Sequence, residues 1–426
     1  MNSVNMKGFP YTSSKNDALN LFMSKIKFTA PSEKVSLQEA LQRVLAVNIT
    51  AEVDAPSFNR SAMDGYALRA EDTRGASINS PIRIKIISRV DAGQSPNIKL
   101  GPYQGVEIMT GARVPQEADS VIMVEYTKRI DDETVEIYQE LSPGLNIDRA
   151  GSDIAKNETI LTAGTILKPA DLGVLKALNI SQIEVYKRPK IGLFSTGDEL
   201  VEAADILPPE GKIIENNQLI LSSYILEEGG EPLRFGIVPD NYELIKETII
   251  KTMEKCDMLF VTGGTSVGKK DLVPKAVQHT GSLITHGVSM KPGKPTGLAI
   301  VKNKPVILMP GYSVACIMAF HVFGKPLIHR FLRIHPPKYD KYILAHLTKR
   351  APSTAGRTDF LRVLVTKKRN EFYATPLRSS GSGILSSMVK ANGILEIPDE
   401  IEGYEEGDTA PILLYRDQIP EELKDV

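Results

Sequence analysis

The stretch 257–271, with the sequence DMLFVTGGTSVGKKD, most constrains the fold that this chain can adopt. Its residues 258–261 form a short apolar run, which is typical of a strand buried on both faces of a parallel sheet. A glycine-rich turn with small hydroxyl residues, 262–268, follows at once. Glycines allow backbone N–H groups to surround an anion, and open α/β sheets bind ligands at the carboxyl ends of their strands. The stretch therefore predicts an α/β domain with an anion-binding turn.

The turn resembles a phosphate-binding P-loop but differs at one position. Gly263 and Gly268-Lys269 have the spacing of that loop, but Lys270 occupies the place where the loop needs a Ser or Thr hydroxyl for Mg²⁺. A carboxylate, Asp271, follows. We interpret the stretch as an anion or phosphate cradle with its own carboxylate, and the pattern disfavours a P-loop NTPase.

Around this stretch, strand and helix patterns alternate from 189 to 334, which predicts one α/β domain with a mostly parallel sheet. Its predicted strands are 190–194, 232–238, 258–261, 297–301 and 305–309, and its predicted helices are 217–228, 242–255 with Asp240 as a cap, 272–279 and 313–332. We expect one multidomain chain that combines this α/β domain with β domains.

The rest of the chain predicts two β regions and a small linking region. Period-two strands at 82–87, 105–109, 120–124 and 134–138 indicate a mainly-β insertion domain, and strands at 342–347, 359–366, 371–376 and 410–415 indicate a small C-terminal β domain. Helices are predicted at 17–26, at 37–45 after a Ser36–Glu39 capping box, and at 170–178 before a strand at 183–185. The predicted domains are 15–53 with 154–188, 54–153, 189–334 and 338–417.

Composition excludes several classes of partner. The 51 basic and 52 acidic residues nearly cancel, so we expect neither a nucleic-acid nor a membrane partner. We find no apolar run of transmembrane length and no signal-peptide core at the start, which predicts a cytoplasmic protein. The two cysteines, Cys256 and Cys316, lack metal-ligand spacing and are expected to be buried core residues, and the six histidines form no zinc motif.

Five polar loops follow the predicted strands of the α/β domain, and together they predict a site for an anion with a divalent cation. They are the Ser195–Glu199 segment, Asp240, the 263–271 cradle, the 290–295 loop with Lys291 and Lys294 fixed by prolines, and 310–313. Each has a plainer interpretation, because Asp198 or Asp240 could be a simple N-cap and a glycine-rich loop is often an ordinary turn. Outside this domain, Asp64, Thr110 and Asp153 stand in turns, where either interpretation remains open.

The same segments resemble, as a set and in order, those of the molybdopterin molybdenumtransferases. The shared motifs are SAMDGYA, IMTGA, the 151–154 segment, STGDEL, GGTSVGKKD and MKPGKP, with a C-terminal match at 379–398. This is the MoeA family, which includes the gephyrin E domain. The resemblance implies a MogA-like molybdopterin-binding α/β domain, a C-terminal β-barrel-like domain and an elongated homodimer. It also implies the insertion of molybdate into adenylylated molybdopterin, with Mg²⁺ or another divalent cation and with release of AMP.

The resemblance assigns roles by motif. It implies catalytic roles for Asp64, Asp153, Glu199, Asp271, Lys291 and Lys294, with Glu199, Asp240 and Asp271 as the metal ligands. It implies substrate-binding roles for Thr110, Ser195, Thr196, Gly197, Asp240, Gly263, Gly264, Thr265, Ser266, Gly268, Pro292, Gly293, Pro310, Gly311 and Ser313. A MogA- or MoaB-like adenylyltransferase and recipient molybdoenzymes are the implied protein partners.

Two positions depart from the family pattern. Gly287 stands where family members can carry a further lysine, and Gly311-Tyr312-Ser313 replaces the usual Gly-Asn-Pro turn. These departures leave open a tungstate-preferring paralogue. A non-catalytic scaffold of the gephyrin E-domain type is the other alternative, which the retained carboxylates disfavour because clustered like charges repel one another.

Overall fold

The computed structural model describes residues 12–95, 97–203, 207–263, 272–335, 341–377 and 383–420. These fall into two compact units: the described residues of 1–33, 42–44 and 186–426, and those of 34–41 and 45–185. The predicted division into four domains stays a prediction. Among the described helices, none combines the length and the apolar character that crossing a membrane requires.

The first unit contains the predicted α/β sheet. In spatial order its strands are Glu231–Val238, Lys190–Thr196, Met258–Thr262, Lys304–Met309, Gly297–Val301 and Gly281–His286. The first three pairings are parallel and the last two antiparallel, so the mostly parallel sheet is confirmed and has an antiparallel edge. The edge strand Gly281–His286 was not predicted. A short parallel pair, Leu200–Val201 and Ile213–Ile214, follows the strand Lys190–Thr196.

Helices cover both faces of this sheet. Alternate residues of the strand Met258–Thr262 point to opposite faces, so Leu259 and Val261 pack with the helices Tyr242–Lys255 and Leu272–Thr280. On the other face, Phe260 contacts Phe320 edge to face. Burying one such side chain contributes about 1.5–3 kcal/mol, so this packing stabilises the sheet from both faces. The helices of the second face are Asn217–Glu227, Ser313–Ala319 and Lys325–Phe331.

The predicted closing helix 313–332 is confirmed, with an interruption. A π-helical segment, Phe320–Gly324, separates its two α-helical parts. Pro326 explains the change of hydrogen bonding, because its ring nitrogen cannot donate to the carbonyl of Val322 four residues earlier.

The C-terminal β domain closes into a five-stranded barrel. Thr358–Lys368, Glu371–Pro376, Tyr342–Leu347, Thr409–Leu414 and Gly393–Ile397 follow one another around it, and Gly393–Ile397 pairs back with Thr358–Lys368. All four predicted strands are present. The domain also holds the strands Ala351–Pro352 and Gly403–Tyr404 and the short helix Ser386–Lys390.

The predicted N-terminal helix is confirmed as Lys15–Lys25, capped by Ser14.

The second unit contains the insertion sheet, in the order Ser120–Met123, Gly65–Leu68, Gln104–Ile108, Ile82–Val90, Thr134–Ile137 and Thr127–Arg129. The four predicted strands are confirmed, and Gly65–Leu68, fully buried, was missed. Two small pairs join Arg60–Ser61 with Ile147–Asp148 and Ile49–Thr50 with Thr159–Leu161. The remaining elements are the strands Ser32–Ser36 and Gln182–Tyr186, the helix Pro169–Ala177, and the single 3₁₀ turns Leu37–Glu39, Ala70–Thr73 and Val124–Tyr126.

The predicted helix 37–45 is wrong. The capping box at Ser36 and Glu39 exists, but it starts only the 3₁₀ turn Leu37–Glu39. Gln42 has a φ of +61°, which an α-helix cannot contain, and Leu45 is extended and bridges Val185. Leucines at 37, 41 and 45 have helical spacing, yet Leu41 is 44% exposed, so they do not form one apolar face.

Candidate functional site

A network of buried hydroxyl groups lies at the carboxyl end of the α/β sheet. The Ser195 hydroxyl donates to Glu215 Oε1 at 2.8 Å, and it lies 2.7 Å from the hydroxyl of Thr262 on the neighbouring strand. Gln218 Nε2 donates to Ser195 Oγ at 3.2 Å. Ser195, predicted to bind substrate, is fully buried and lies beneath the site, where burial of polar groups requires such partners. The network holds the two strand ends together.

Thr196, the next residue, links the same strand to Asp240. Its hydroxyl donates to Asp240 Oδ1 at 2.8 Å, and Asp240 N–H donates to Asp198 Oδ1 at 3.1 Å. The predicted capping role of Asp240 is wrong, because Asn241 caps the helix Tyr242–Lys255 by accepting from the N–H groups of residues 243 and 244. Asp240 is therefore available to the site.

Gly263 begins the predicted cradle, and its position requires a glycine. Its φ is +86°, and a Cβ atom there would lie 2.1 Å from the carbonyl oxygen of Thr196. Only the absence of a side chain permits the turn to pass this close to the neighbouring strand. The remainder of the cradle, including Gly264, Thr265, Ser266, Gly268 and Asp271, lies outside the described residues.

These strand ends border a first cavity of about 670 Å³, which we call the carboxylate cavity. Glu199, Asp240 and Glu215 line it, together with Thr196 and Gly263. The Glu199 side chain is exposed and, within the described part of the chain, makes no hydrogen bond or ion pair. The cavity therefore offers carboxylate oxygens to a ligand or a cation. Gly311 and Ser313 also line it, and Asn217 Nδ2 donates to Gly311 O at 2.7 Å.

The 290–295 loop, which we call the lysine loop, is held between the α/β domain and the barrel. Its residues Met290–Lys291 form a sixth strand on the barrel sheet and pair in parallel with Thr358 and Asp359. On the other side, Ser289 N–H donates to Ser13 O at 2.8 Å. Pro292 and Gly293 are buried, whereas Lys291 and Lys294 are exposed. The loop thus presents two ammonium groups from a fixed backbone.

The lysine loop lines a second cavity of about 600 Å³, which we call the cationic cavity. Lys291 and Lys294 line it from the α/β domain. On the barrel side, Arg362 lines it from the strand Thr358–Lys368 and Arg357 from the position just before that strand. Asp359 is the one carboxylate among its lining residues. Four cationic side chains against one carboxylate make this cavity suitable for an oxyanion.

The two cavities adjoin each other. Pro295, Pro310 and Tyr312 line both of them. The carboxylate groups and the cationic groups therefore face neighbouring spaces, as a ligand with a phosphate and a second anionic group would need.

Three predicted residues lie in the second unit. Asp64 is exposed, and its Oδ1 accepts from the backbone N–H and the hydroxyl of Thr110 at 2.7 and 2.8 Å. These bonds hold the pKa of the Asp64 carboxyl below its ordinary value. Asp153 is exposed in a turn in which its N–H donates to Ala55 O.

The predicted metal set is incomplete in the part of the chain that the structure describes. Glu199 and Asp240 line one cavity, but Asp271 lies outside the described residues. Among the described residues, no three His, Cys, Asp or Glu side chains are arranged to hold a metal ion.

Sequence reasoning missed the cationic residues of the barrel. Arg357, Asp359 and Arg362 stand within or just before the segment 359–366, whose pattern predicted only a strand. Their placement depends on the pairing of the lysine loop with this strand, which no local pattern encodes. The available signal was the presence of Asp359 and Arg362 in an otherwise mainly apolar strand, because charged residues are rarely buried without a partner. Both are 3% exposed in the structure.

Comparison with protein-family models places this architecture in a known class. Residues 13–179 match the MoeA N-terminal region, domains I and II. Residues 192–330 match a model described as a probable molybdopterin binding domain, and residues 345–415 match the MoeA C-terminal region, domain IV. The three models match in the order and at the places of the insertion region, the α/β domain and the barrel.

Individual relatives agree over nearly the whole chain. The molybdopterin molybdenumtransferase of Bacillus subtilis is 34% identical over 391 residues, covering 91% of this chain and 90% of that protein. The crystal structure of the molybdopterin biosynthesis MoeA protein from Pyrococcus horikoshii aligns with a TM-score of 0.83 and 35% identity, over 95% of this chain and 100% of that one. The chain therefore belongs to the MoeA family of transferases, the enzymes of molybdenum cofactor biosynthesis.

Proposed function

We propose that this chain inserts molybdate into adenylylated molybdopterin and releases AMP. The observation that carries the proposal is the junction of the carboxylate cavity with the cationic cavity through Pro295, Pro310 and Tyr312. The substrate has a pyrophosphate group beside the dithiolene sulfurs that receive the metal, so its two reacting parts need adjacent sites of different character. The named relatives support the same reaction class.

The carboxylate cavity would hold the pyrophosphate end with a divalent cation. Glu199 and Asp240 supply hard oxygen donors of the kind that Mg²⁺ prefers, and the exposed Glu199 carboxylate has no partner among the described residues. A bound Mg²⁺ would neutralise charge on the phosphate oxygens. Asp271, outside the described residues, is the third proposed ligand. Thr196 keeps Asp240 oriented through the 2.8 Å hydrogen bond.

The cationic cavity would hold molybdate. Lys291 and Lys294 contribute ammonium groups, and Arg357 contributes a planar guanidinium whose N–H groups match the oxygens of an oxyanion. Because the backbone of the lysine loop and the Arg357 guanidinium are held before the ligand arrives, they would stabilise developing negative charge with little reorganisation.

We extend the proposal to a homodimer in which Asp64, Thr110 and Asp153 complete the site of the other subunit. The exposure of Asp64 and Asp153 supports this, since both carboxylates are accessible to a second chain. A MogA- or MoaB-like adenylyltransferase would supply the adenylylated substrate, and molybdoenzymes would receive the product. Sedimentation at micromolar concentration tests the dimer, and a monomer that is fully active would contradict it.

The test of the proposed reaction is AMP release from adenylylated molybdopterin. The intact chain is incubated with molybdate, with tungstate or with no oxyanion, each with Mg²⁺ and with a chelator. We expect AMP release that requires both an oxyanion and Mg²⁺, and the more effective oxyanion identifies the metal. If the nucleotide binds but is not cleaved under any of these conditions, the transferase proposal fails and a cofactor-binding scaffold replaces it.

A further inference from the structure

Asp359 is a buried carboxylate in the wall of the cationic cavity. Its side chain is 4% exposed, and it stands near the start of the barrel strand Thr358–Lys368. A carboxylate in such a place is stable only with a charged partner and hydrogen bonds. A negative group is also unexpected in a cavity suited to an oxyanion, so its contacts indicate what it does.

The carboxylate of Asp359 binds Arg357 with both oxygens. Arg357 Nε donates to Oδ1 at 2.8 Å and Nη2 donates to Oδ2 at 3.2 Å. This two-point contact fixes the plane of the guanidinium as well as its position. A guanidinium has five N–H groups, so three remain for a ligand. The Arg357 side chain is 35% exposed and lines the cavity, so the guanidinium is open to a ligand there.

The backbone of Asp359 holds the main chain of a second cationic residue. In the parallel pairing of Met290–Lys291 with the barrel strand, Asp359 is the partner of Lys291. Next to it, Thr358 N–H donates to Ser289 O at 2.9 Å. One residue therefore connects the cation of the lysine loop, through its main chain, with the cation of the barrel, through its carboxylate.

We propose that Asp359 is a positioning residue for oxyanion binding: it holds the Arg357 guanidinium in the orientation that lets it bind molybdate together with Lys291. The proposal rests on the proposed function. Without the carboxylate, the long Arg357 side chain samples many rotamers, and its guanidinium no longer meets the oxyanion in one geometry. Asp359 itself repels the oxyanion, so its effect operates through Arg357.

The test compares Asp359→Asn, Asp359→Glu and Arg357→Lys with the wild-type chain. For Asp359→Asn we expect the KM for molybdate to rise about 10- to 100-fold, since a misplacement of about 1 Å can cost up to about 100-fold. The KM for adenylylated molybdopterin should change less than 2-fold, which corresponds to a free-energy change of less than about 0.4 kcal/mol. Asp359→Glu, which keeps the charge, should recover part of the molybdate affinity.

Arg357→Lys provides the same test without altering a buried residue. A lysine cannot make the two-point contact, so the KM of the Arg357→Lys variant for molybdate should rise to a similar extent. Adding Asp359→Asn to this variant should raise that KM little further, because both changes remove the same interaction. The matched control is Glu405→Gln. It removes the exposed ion pair of Arg350 and Glu405 on the same domain, and it should leave both KM values unchanged.

Binding of molybdate alone, measured by equilibrium dialysis, separates this inference from the proposed function. If the wild-type chain binds molybdate but releases no AMP, the proposed reaction fails and the dialysis still tests Asp359. Thermal unfolding of each variant identifies the folded ones. A folded Asp359→Asn variant with wild-type affinity for molybdate, or one in which both KM values rise equally, overturns the positioning role.

Discussion

The molecule contains two threonine–aspartate pairs with hydrogen bonds of equal length in very different surroundings. Thr196 Oγ1 donates to Asp240 Oδ1 at 2.8 Å, and Thr110 Oγ1 donates to Asp64 Oδ1 at 2.8 Å. Thr196 is 1% exposed and stands beside the buried hydroxyl network, whereas Thr110 and Asp64 are exposed in a turn. The comparison teaches that bond length alone does not indicate function. The pair with the buried threonine belongs to the structure that shapes the site, and the exposed pair sets the ionisation of one carboxyl group.

The largest effect should come from placing a side chain against the buried Thr196. Gly263→Ala puts a Cβ atom 2.1 Å from the Thr196 carbonyl oxygen and imposes a φ of +86° on alanine. We expect the free energy of unfolding to fall by about 3 kcal/mol, since overpacking and this conformation each contribute about 1–3 kcal/mol. Denaturant unfolding measures the change. Gly211→Ala is the control, because a Cβ atom there meets nothing within 4 Å and only the backbone strain applies. Equal losses in the two variants would contradict the close approach.

A smaller effect should follow the loss of one buried hydroxyl group. Ser195→Ala removes the donor to Glu215 and leaves Thr262 and Gln218 with one partner fewer. Unsatisfied buried groups cost about 1–3 kcal/mol, and we expect a loss of unfolding free energy in that range by the same measurement. Ser223→Ala, at an exposed helix position, should change stability by less than about 0.5 kcal/mol. If Ser195→Ala is as mild as its control, the network does not support the strand ends.

The smallest effect concerns the exposed pair. In Thr110→Val the backbone N–H bond to Asp64 remains and the hydroxyl bond is lost, so the pKa of Asp64 should rise only part of the way to its ordinary value of about 3.9. Carboxyl carbon NMR shifts recorded against pH measure this pKa. Thr50→Val, at another exposed position of the same unit, should leave it unchanged.

The sign of the pH effect at Asp64 follows from its lowered pKa. The stabilisation that the ionised Asp64 provides is complete above its unfolded pKa of about 3.9, and it is lost as the pH falls through the lower folded value. In Thr110→Val the stabilisation should be smaller and its loss should be complete at a higher pH, because the folded pKa lies closer to the unfolded one. An unchanged pKa of Asp64 would mean that the threonine hydroxyl does not hold the carboxylate.

Much of the α/β domain could be predicted because its strands are continuous apolar runs that end in polar turns. The run at 258–261 is buried throughout, and its position at the centre of the sheet explains why the pattern is so strong. The segment 37–45 misled because its leucines have helical spacing while Gln42 adopts a positive φ, which the pattern does not reveal. Burial alone is not sufficient, because the strand Gly65–Leu68 is equally buried and was missed after its turn-rich preceding segment.

The candidate site could be predicted only in part, for a related reason. Glu199, Asp240 and Gly263 each follow a strand of a single sheet, so the topology brings them to one cavity. Arg357 and Asp359 join the lysine loop through a strand pairing between two domains. Their contribution depends on tertiary register, and a single sequence contains no direct signal for that register.

The strand Met290–Lys291 has a mechanical consequence. By chain order it belongs to the α/β domain, and by hydrogen bonding it belongs to the barrel sheet. It therefore connects the two domains through backbone hydrogen bonds. Any movement that opened the cationic cavity by separating these domains would have to break this pairing and the Thr358–Ser289 hydrogen bond. The pairing therefore opposes any widening of the cavity, and we expect ligand exchange to depend on motions of exposed side chains such as Lys291.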